Sequence, residues 1–322
     1  MSVIIHDIQQ ACVMLSNAEI VAIPTETVYG LAANALNDSA ISKIYALKKR
    51  PLTHPLIMHV SQAWDLHQWV TFIPDYAISL MEKLWPGPLT LILPLKPNSL
   101  SSLVTGGQQT VAIRCPQHPV AQTVLTTLGF PLVAPSANPF GQISPTTAEH
   151  VKESFPDEPL FILDGGRCQL GIESTIVDAT HIHGLRILRN GMIGSETIEL
   201  NSCGAPLLTD KLPSIIRAPG LLDKHYQPQK PLHCFADKQK MLAFCKQNPA
   251  SYVLSFSKDT AFAAWQGCQL PHSAQELAFE LYYQLRAADN TPQSLIVMEL
   301  PPDEPAFASI NERLLKAGIC HI

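Results

Sequence analysis

Apolar residues in this chain come in short runs, and proline keeps closing them: residues 20–23 stop at Pro24, and residues 131–134 stop at Pro135. With 27 prolines in 322 residues, against a usual share of about 5%, the core must be assembled from many short elements joined by stiff loops. A proline fixes φ and removes a backbone donor, so the prolines mark turns, stiff loops and the ends of elements. From residue 1 to about 200, runs 20–23, 56–60, 89–95, 111–115, 131–134, 160–163, Thr175–Asp178 and 186–188 read as strands. Amphipathic stretches separate them. One is a helix that Asp38 would cap, with Ile41, Ile44, Tyr45 and Leu47 on its apolar face; it must stop near Arg50 because Pro51 follows. Asp75–Leu84 and Pro119–Leu128 read as further helices. The pattern is α/β with a large mixed sheet.

Five prolines between Pro206 and Pro231 break any periodicity and predict an extended, partly rigid linker. The pattern then restarts: Leu232–Phe235, 252–256 and 295–300 read as strands and 274–288 and 306–317 as helices. The expected organisation is a catalytic domain at 1–203, a linker or lid at 204–231, and a small α/β domain at 232–322.

Charge narrows the function. Only 15% of residues are charged, 22 Lys and Arg against 27 Asp and Glu, for a net charge of −5. A chain without a basic face does not hold nucleic acid by bulk attraction, so strong direct nucleic-acid binding is not expected and any phosphate must be gripped locally. The eight cysteines show no CxxC pair and read as reduced, buried small hydrophobes of a cytoplasmic protein. The first residues lack a basic stretch followed by an apolar one, and no apolar run approaches the ~20 residues of a membrane span, so no membrane association is expected.

The usual phosphate and hydrolase signatures are absent: no GxxxxGK[ST], no GxGxxG, no GxSxG, no HExxH. Polar loops at strand ends remain, where open α/β sheets bind ligands. Residues 24–31, PTETVYGL, offer two hydroxyls, a carboxylate and a phenol to a small polar ligand, or equally a turn whose threonines satisfy backbone donors. Lys48 and Arg50 can converge on one phosphate chain, or can simply be cations favoured at a helix C-terminus. Residues 134–139, APSANP, stiffen a loop that presents Ser136 and Asn138, in residue types that also form plain turns. Arg114 is a sharper clue, because a cation in an apolar strand needs an anionic partner, from the protein or from a ligand. Ser174 is a further candidate at a strand end, and His59 closes the strand 56–60.

In order along the chain, PTETVYGL, LKKRP with PLIMHV, WPGPLTLIL, VAIRCP, APSAN with SPT, GIESTIVD and ILRNG resemble the Sua5/YciO/YrdC family, the threonylcarbamoyl-AMP synthases that begin the N6-threonylcarbamoyladenosine modification of tRNA. The PG and HYxP elements of the linker and the stretch ELYY through LRAAD resemble the long, Sua5-type members. The resemblance implies a YrdC-like twisted mixed sheet with flanking helices, joined by the linker to a Rossmann-like Sua5 domain. It implies a nucleotidyltransferase that joins L-threonine, bicarbonate and ATP, aided by Mg²⁺, and a tRNA threonylcarbamoyl transferase as the partner that consumes the product. By motif position, Thr27, His59, Arg114, Ala134 and Ser174 would contact threonine. Lys48 and Arg50 would hold the phosphates, and Arg50, His54, Thr110, Ser136, Asn138, Ser144, Arg189 and Tyr226 would serve ATP, Tyr226 by folding over the nucleotide. His54 stands where many members have asparagine, and LLDKHYQP lacks the Tyr-Arg that often precedes HYxP. The rival reading is a double-stranded RNA or tRNA-binding module of the same fold without synthase activity. A carbamoyltransferase relative would be expected in a larger chain with zinc-finger or acylphosphatase parts.

Overall fold

The computed structural model of the chain describes residues 1–208, 216–220, 224–257, 262 and 264–321. Parts of the expected linker, 209–215 and 221–223, with Pro213 and the first residues of LLDKHYQP, lie outside the described residues. The chain divides into two compact units, one of Met1–Phe140, Pro145–Gln169 and Glu173–Leu221, the other of Gly141–Ser144, Leu170–Ile172 and Leu222–Ile322.

The first unit carries strands β1 (Val3–Ile5), β2 (Val21–Ile23), β3 (Gly30–Asn34), β4 (Ile57–His59), β5 (Leu89–Pro94), β6 (Thr110–Arg114), β7 (Leu132–Val133), β8 (Phe161–Leu163), β9 (Thr175–Asp178) and β10 (Arg186–Arg189). They form one mixed ten-stranded sheet in the order β1-β8-β2-β3-β7-β4-β6-β5-β9-β10. Its helices are α1 (Ile8–Ser16), α2 (Asp38–Lys48), α3 (Asp75–Leu84), α4 (Ser102–Thr105), α5 (Pro119–Leu128), α6 (Ala148–Ser154) and α7 (Ser195–Leu200).

Alternation along the central strands sorts residues between the two faces. Met58, Leu91, Ile113, Val133 and Val177 point into a large core with α2 and α3, which contribute Ile41, Ile44, Ala77 and Leu80. On the opposite face, one half of the sheet is covered by α1 and α5 through Leu15, Val124 and Leu125 against Ile5, Val21, Ile23 and Leu132. The other half presents Ile57, Ile92, Ala112 and Ile176, covered by Ala218 and Ile216 of the proline-rich segment and by Leu188.

Two sequence expectations need correction. The cap of α2 is Asn37, whose side chain accepts from Ala40 N, while Asp38 is the first helical residue. Asn37 takes the extended backbone that a capping residue requires, and Asp38 in the first turn still suits the positive end of the helix dipole. Not every cysteine is buried: Cys203, at φ 50° just past α7, is exposed, and Cys268 and Cys320 are partly so.

The second unit carries β11 (Leu232–Phe235), β12 (Ser251–Ser255), β13 (Gly267–Gln269), β14 (Leu295–Glu299) and β15 (Ile319–His321), with α8 (Lys238–Gln247), α9 (Ala274–Asp289) and α10 (Ala308–Ala317). The sheet order is β13-β12-β14-β11-β15 and every pair is parallel, the Rossmann-like layer the sequence implied. Strands covered on both faces read as continuous apolar runs, as YVL and IVM do here. Among the described residues no helix is long and apolar enough to cross a membrane.

Candidate active site

Strand register builds the site. His59 lies opposite Arg114 where the parallel strands β4 and β6 end, and Thr90 lies opposite Arg114 on the other side. Leu89 then pairs with Thr175, which brings Ser174 beside Thr90: their hydroxyls are 2.8 Å apart. A polar row thus crosses three strands above the apolar floor of Ile57, Ile92, Ala112 and Ile176. Ala134 closes the row at its near end, its N–H donating to Ile57 O at 3.1 Å.

The anionic partner that Arg114 required is Glu26, with Nη2 at 2.7 Å from Oε1 and both side chains only 5% exposed. The approach is close but poorly aligned, and no directed hydrogen bond satisfies Arg114 Nε or Nη2 or either Glu26 oxygen. A buried ion pair recovers its desolvation cost only when its remaining donors and acceptors are met. This pair therefore holds unused capacity of both signs in one place.

His59 Nδ1 lies 3.1 Å from Ile57 O, which fixes the proton there and leaves Nε2 as an acceptor. Burial, reinforced by the charge of Arg114, lowers its pKa to about 3, so the ring is neutral. The threonines of PTETVYGL divide their labour. Thr25 donates to Val28 O at 2.6 Å and accepts from the N–H groups of Thr27 and Val28, which is the turn-forming role. With the Thr25 proton so placed, Thr27 is the donor in their 2.9 Å contact, and the Thr27 oxygen keeps its lone pairs. On the far side Arg189 donates to Ser174 O, Ser174 Oγ and Pro219 O, so one guanidinium ties the site strand to the covering segment.

The loop after β7 is laid along β3: Leu31 N donates to Pro135 O and Ala137 N to Tyr29 O, which sets PTETVYGL beside APSAN. Lys48 is fully buried and donates to the carbonyls of Ser136 and Asn138. Burial, and next the charge of Arg50, hold its ammonium well below the usual lysine range. The helix stops because Lys49 takes the left-handed conformation at φ 53°. Arg50 then turns inward, donating to His54 O and Pro55 O with Phe140 against its guanidinium, and burial lowers its pKa to about 10. His54 is half-buried with its ring edge-on to Phe140, and Thr110 opens β6, half-buried, opposite Pro94.

Ser144 and Tyr226 belong to the second unit. There Arg286 reaches the carbonyls of Ile143 and Ser144, and Tyr226, at φ 63°, stacks on Tyr282 with Arg313 over its ring. Among the described residues no three His, Cys, Asp or Glu side chains gather as a metal site.

A family profile described as "Telomere recombination", Sua5_yciO_yrdC, matches residues 13–191, and one described as "Threonylcarbamoyl-AMP synthase, C-terminal domain" matches residues 193–318. The chain belongs to the Sua5/YciO/YrdC family. Among Sua5-type relatives, the threonylcarbamoyl-AMP synthase of Bacillus subtilis is 37% identical over 97% of this chain and 92% of its own length. The Pyrococcus abyssi protein of the same name is 34% identical over 97% and 94%. The fold of P. abyssi Sua5 complexed with L-threonine superposes with a TM-score of 0.87 at 31% identity, covering all of both chains.

Sequence reasoning offered the Glu26 carboxylate only as part of PTETVYGL, without pairing it with Arg114, and did not single out Thr90 or the covering residues Ile216 and Ala218. For Glu26 a signal existed: Arg114 demanded an acid. Nothing in the sequence says that the acid lies 88 positions earlier, a separation that follows from the pairing at 2.7 Å.

Proposed function

We propose that the first unit makes threonylcarbamoyl-AMP and pyrophosphate from L-threonine, bicarbonate and ATP, as a nucleotidyltransferase acting in the cytoplasm at the first step of N6-threonylcarbamoyladenosine formation in tRNA. The observation that carries this reading is the buried Arg114–Glu26 pair, with unmet donors on one partner and unmet acceptors on the other. Such a pair fits a zwitterion: Arg114 takes a carboxylate, and Glu26 takes an ammonium or, later, a carbamate N–H. The hydroxyl of threonine finds acceptors in Thr27 Oγ and in His59 Nε2, with Ser174 and Ala134 closing the row. A His59 ring with a pKa of about 3 accepts a hydrogen bond and does not hold a proton. The relatives' names favour the synthase over an RNA-binding module.

No protein nucleophile is required. The threonine amine captures CO₂ with loss of a proton, or bicarbonate with loss of water, to give a carbamate, whose oxygen displaces pyrophosphate from the α-phosphorus of ATP. Phosphoryl chemistry of this kind rests on positioning and charge stabilisation. We assign the nucleotide to Thr110, Ser136, Asn138 and Arg189 and to Arg50 and His54. Lys48 supports this assignment from behind, since its ammonium holds the loop that presents Ser136 and Asn138. In this proposal Mg²⁺ arrives with ATP on the phosphate oxygens, and a tRNA threonylcarbamoyl transferase consumes the product.

The test is pyrophosphate release from ATP, bicarbonate and Mg²⁺ with and without threonine. Release should depend on threonine, and Arg114→Lys, which loses the two-pronged fork, should raise KM for threonine while leaving KM for ATP near wild type. Release that is no faster with threonine than without it overturns the proposal.

A further inference from the structure

The second unit contains a cavity of about 740 Å³ that no part of the proposed chemistry uses. It opens at the carboxyl ends of its parallel strands. Ala236 follows β11, Phe256 follows β12, and Glu299 ends β14, the central strand. From the neighbouring strands β12 and β14 the chain departs in opposite directions, from β12 toward β13 at one edge of the sheet and from β14 through α10 toward β15 at the other. Connections that part in this way leave a crevice outside the strand ends, and ligands of open α/β sheets bind there.

The lining decides what fits. Phe256, Leu300, Phe307 and Leu315 make apolar walls. Glu299 is held at the end of its strand, where Oε2 accepts from Ser255 Oγ at 2.6 Å and Phe256 N at 2.9 Å. Its Oε1 has no partner among the described residues. Asp303 and Glu304 stand at the same cavity with His272, and among the described residues no lysine or arginine lines it. Three carboxylates disfavour phosphate, and a fixed carboxylate above apolar walls attracts a donor with positive charge.

We propose that this cavity binds a small organic cation, an amine carried on an apolar or aromatic body, with Glu299 as its counter-ion. The amine donates to Oε1 while its body covers Phe256 and Phe307. The site is independent of the threonine and ATP assignments, and its failure would leave them untouched.

The experiment uses the full chain and ligand-observed NMR with 2-phenylethylamine, with 2-phenylethanol and 3-phenylpropionate as its neutral and anionic counterparts. The amine should bind best and the anion worst. Glu299→Gln keeps an acceptor for Ser255 and Phe256 but loses the charge, and should weaken amine binding about tenfold. Leu315→Trp, at an exposed position that narrows the cavity, should weaken it as well without lowering the melting temperature. If Glu299→Gln fails to fold, Asp303→Asn together with Leu315→Trp makes the same comparison. Equal binding of the three probes, no binding of the amine at millimolar concentration, or wild-type affinity in the variants overturns the proposal.

Discussion

Replacing Arg114 by methionine strands Glu26. The carboxylate stays 5% exposed, loses its counter-ion and has no directed hydrogen bond to fall back on. Breaking a buried pair by removing one partner costs about 3–5 kcal/mol, roughly two to three and a half orders of magnitude in the unfolding equilibrium. Glu26→Gln alone strands the guanidinium and should cost a similar amount. The double variant, Arg114→Met with Glu26→Gln, buries no charge and should recover most of the loss, since exchanging a buried pair for neutral groups of similar volume is often neutral. The assay is urea denaturation of the three variants and wild type, repeated with saturating threonine, which stabilises the native state through mass action. Threonine should stabilise wild type and leave the double variant unmoved, because its carboxylate has lost Arg114. If the double variant is no more stable than Arg114→Met, or if either single change costs under about 1 kcal/mol, then the pair behaves as a solvated one and the reasoning fails. Should threonine stabilise all four proteins equally, the zwitterion site is wrongly placed.

Other expectations follow from the same geometry. His59 has a native pKa of about 3 against an unfolded value near 6.5, so the unfolded chain binds the extra proton between those values. Its contribution to stability is present above about pH 6.5 and is lost progressively as pH falls toward 3; His59→Asn should flatten that acid limb in pH-dependent denaturation. Lys48→Met removes both donors to the loop carbonyls and should raise KM for ATP more than KM for threonine in the pyrophosphate assay. Arg50→Ala should abolish pyrophosphate release and also destabilise the fold by about 2–4 kcal/mol, because His54 O and Pro55 O lose their charged donor. Rescue of stability without activity by Arg50→Lys would mark a role at the nucleotide beyond support of the 51–55 turn. Gly171→Ala should destabilise the second unit, since φ is 80° and a Cβ would lie 2.4 Å from Ala278 O; a melting temperature equal to wild type would contradict that packing.

Much of the fold was legible because the strands are marked locally. Runs such as 56–60 and 111–115 carry their own apolar pattern, and β3 was missed because GLAAN has neither β-branched residues nor an alternating face. Helix α1 does carry a local mark, Asp7 accepting from Gln9 N ahead of Ala11, Cys12 and Leu15. Legibility ends at pairing. Thr90 and Ser174 touch because β5 runs parallel to β9, and His59 faces Arg114 because β4 runs parallel to β6; neither partnership has a local mark. For Lys48 and Arg50 the sequence left a choice between helix-end cations and phosphate binders. Both side chains turn inward onto backbone carbonyls, so simple helix capping does not describe them.

Arg189 holds Pro219 against the site strand, and Ala218 with Ile216 rests on Ile57, Ile92, Ala112 and Ile176. A chain cut just before residue 216 would keep nearly every candidate residue of the first unit, yet it would open an oily patch to water. Its first symptom would be self-association seen in sedimentation, ahead of any change in chemistry. How short a chain of this type can be made is then set by solubility.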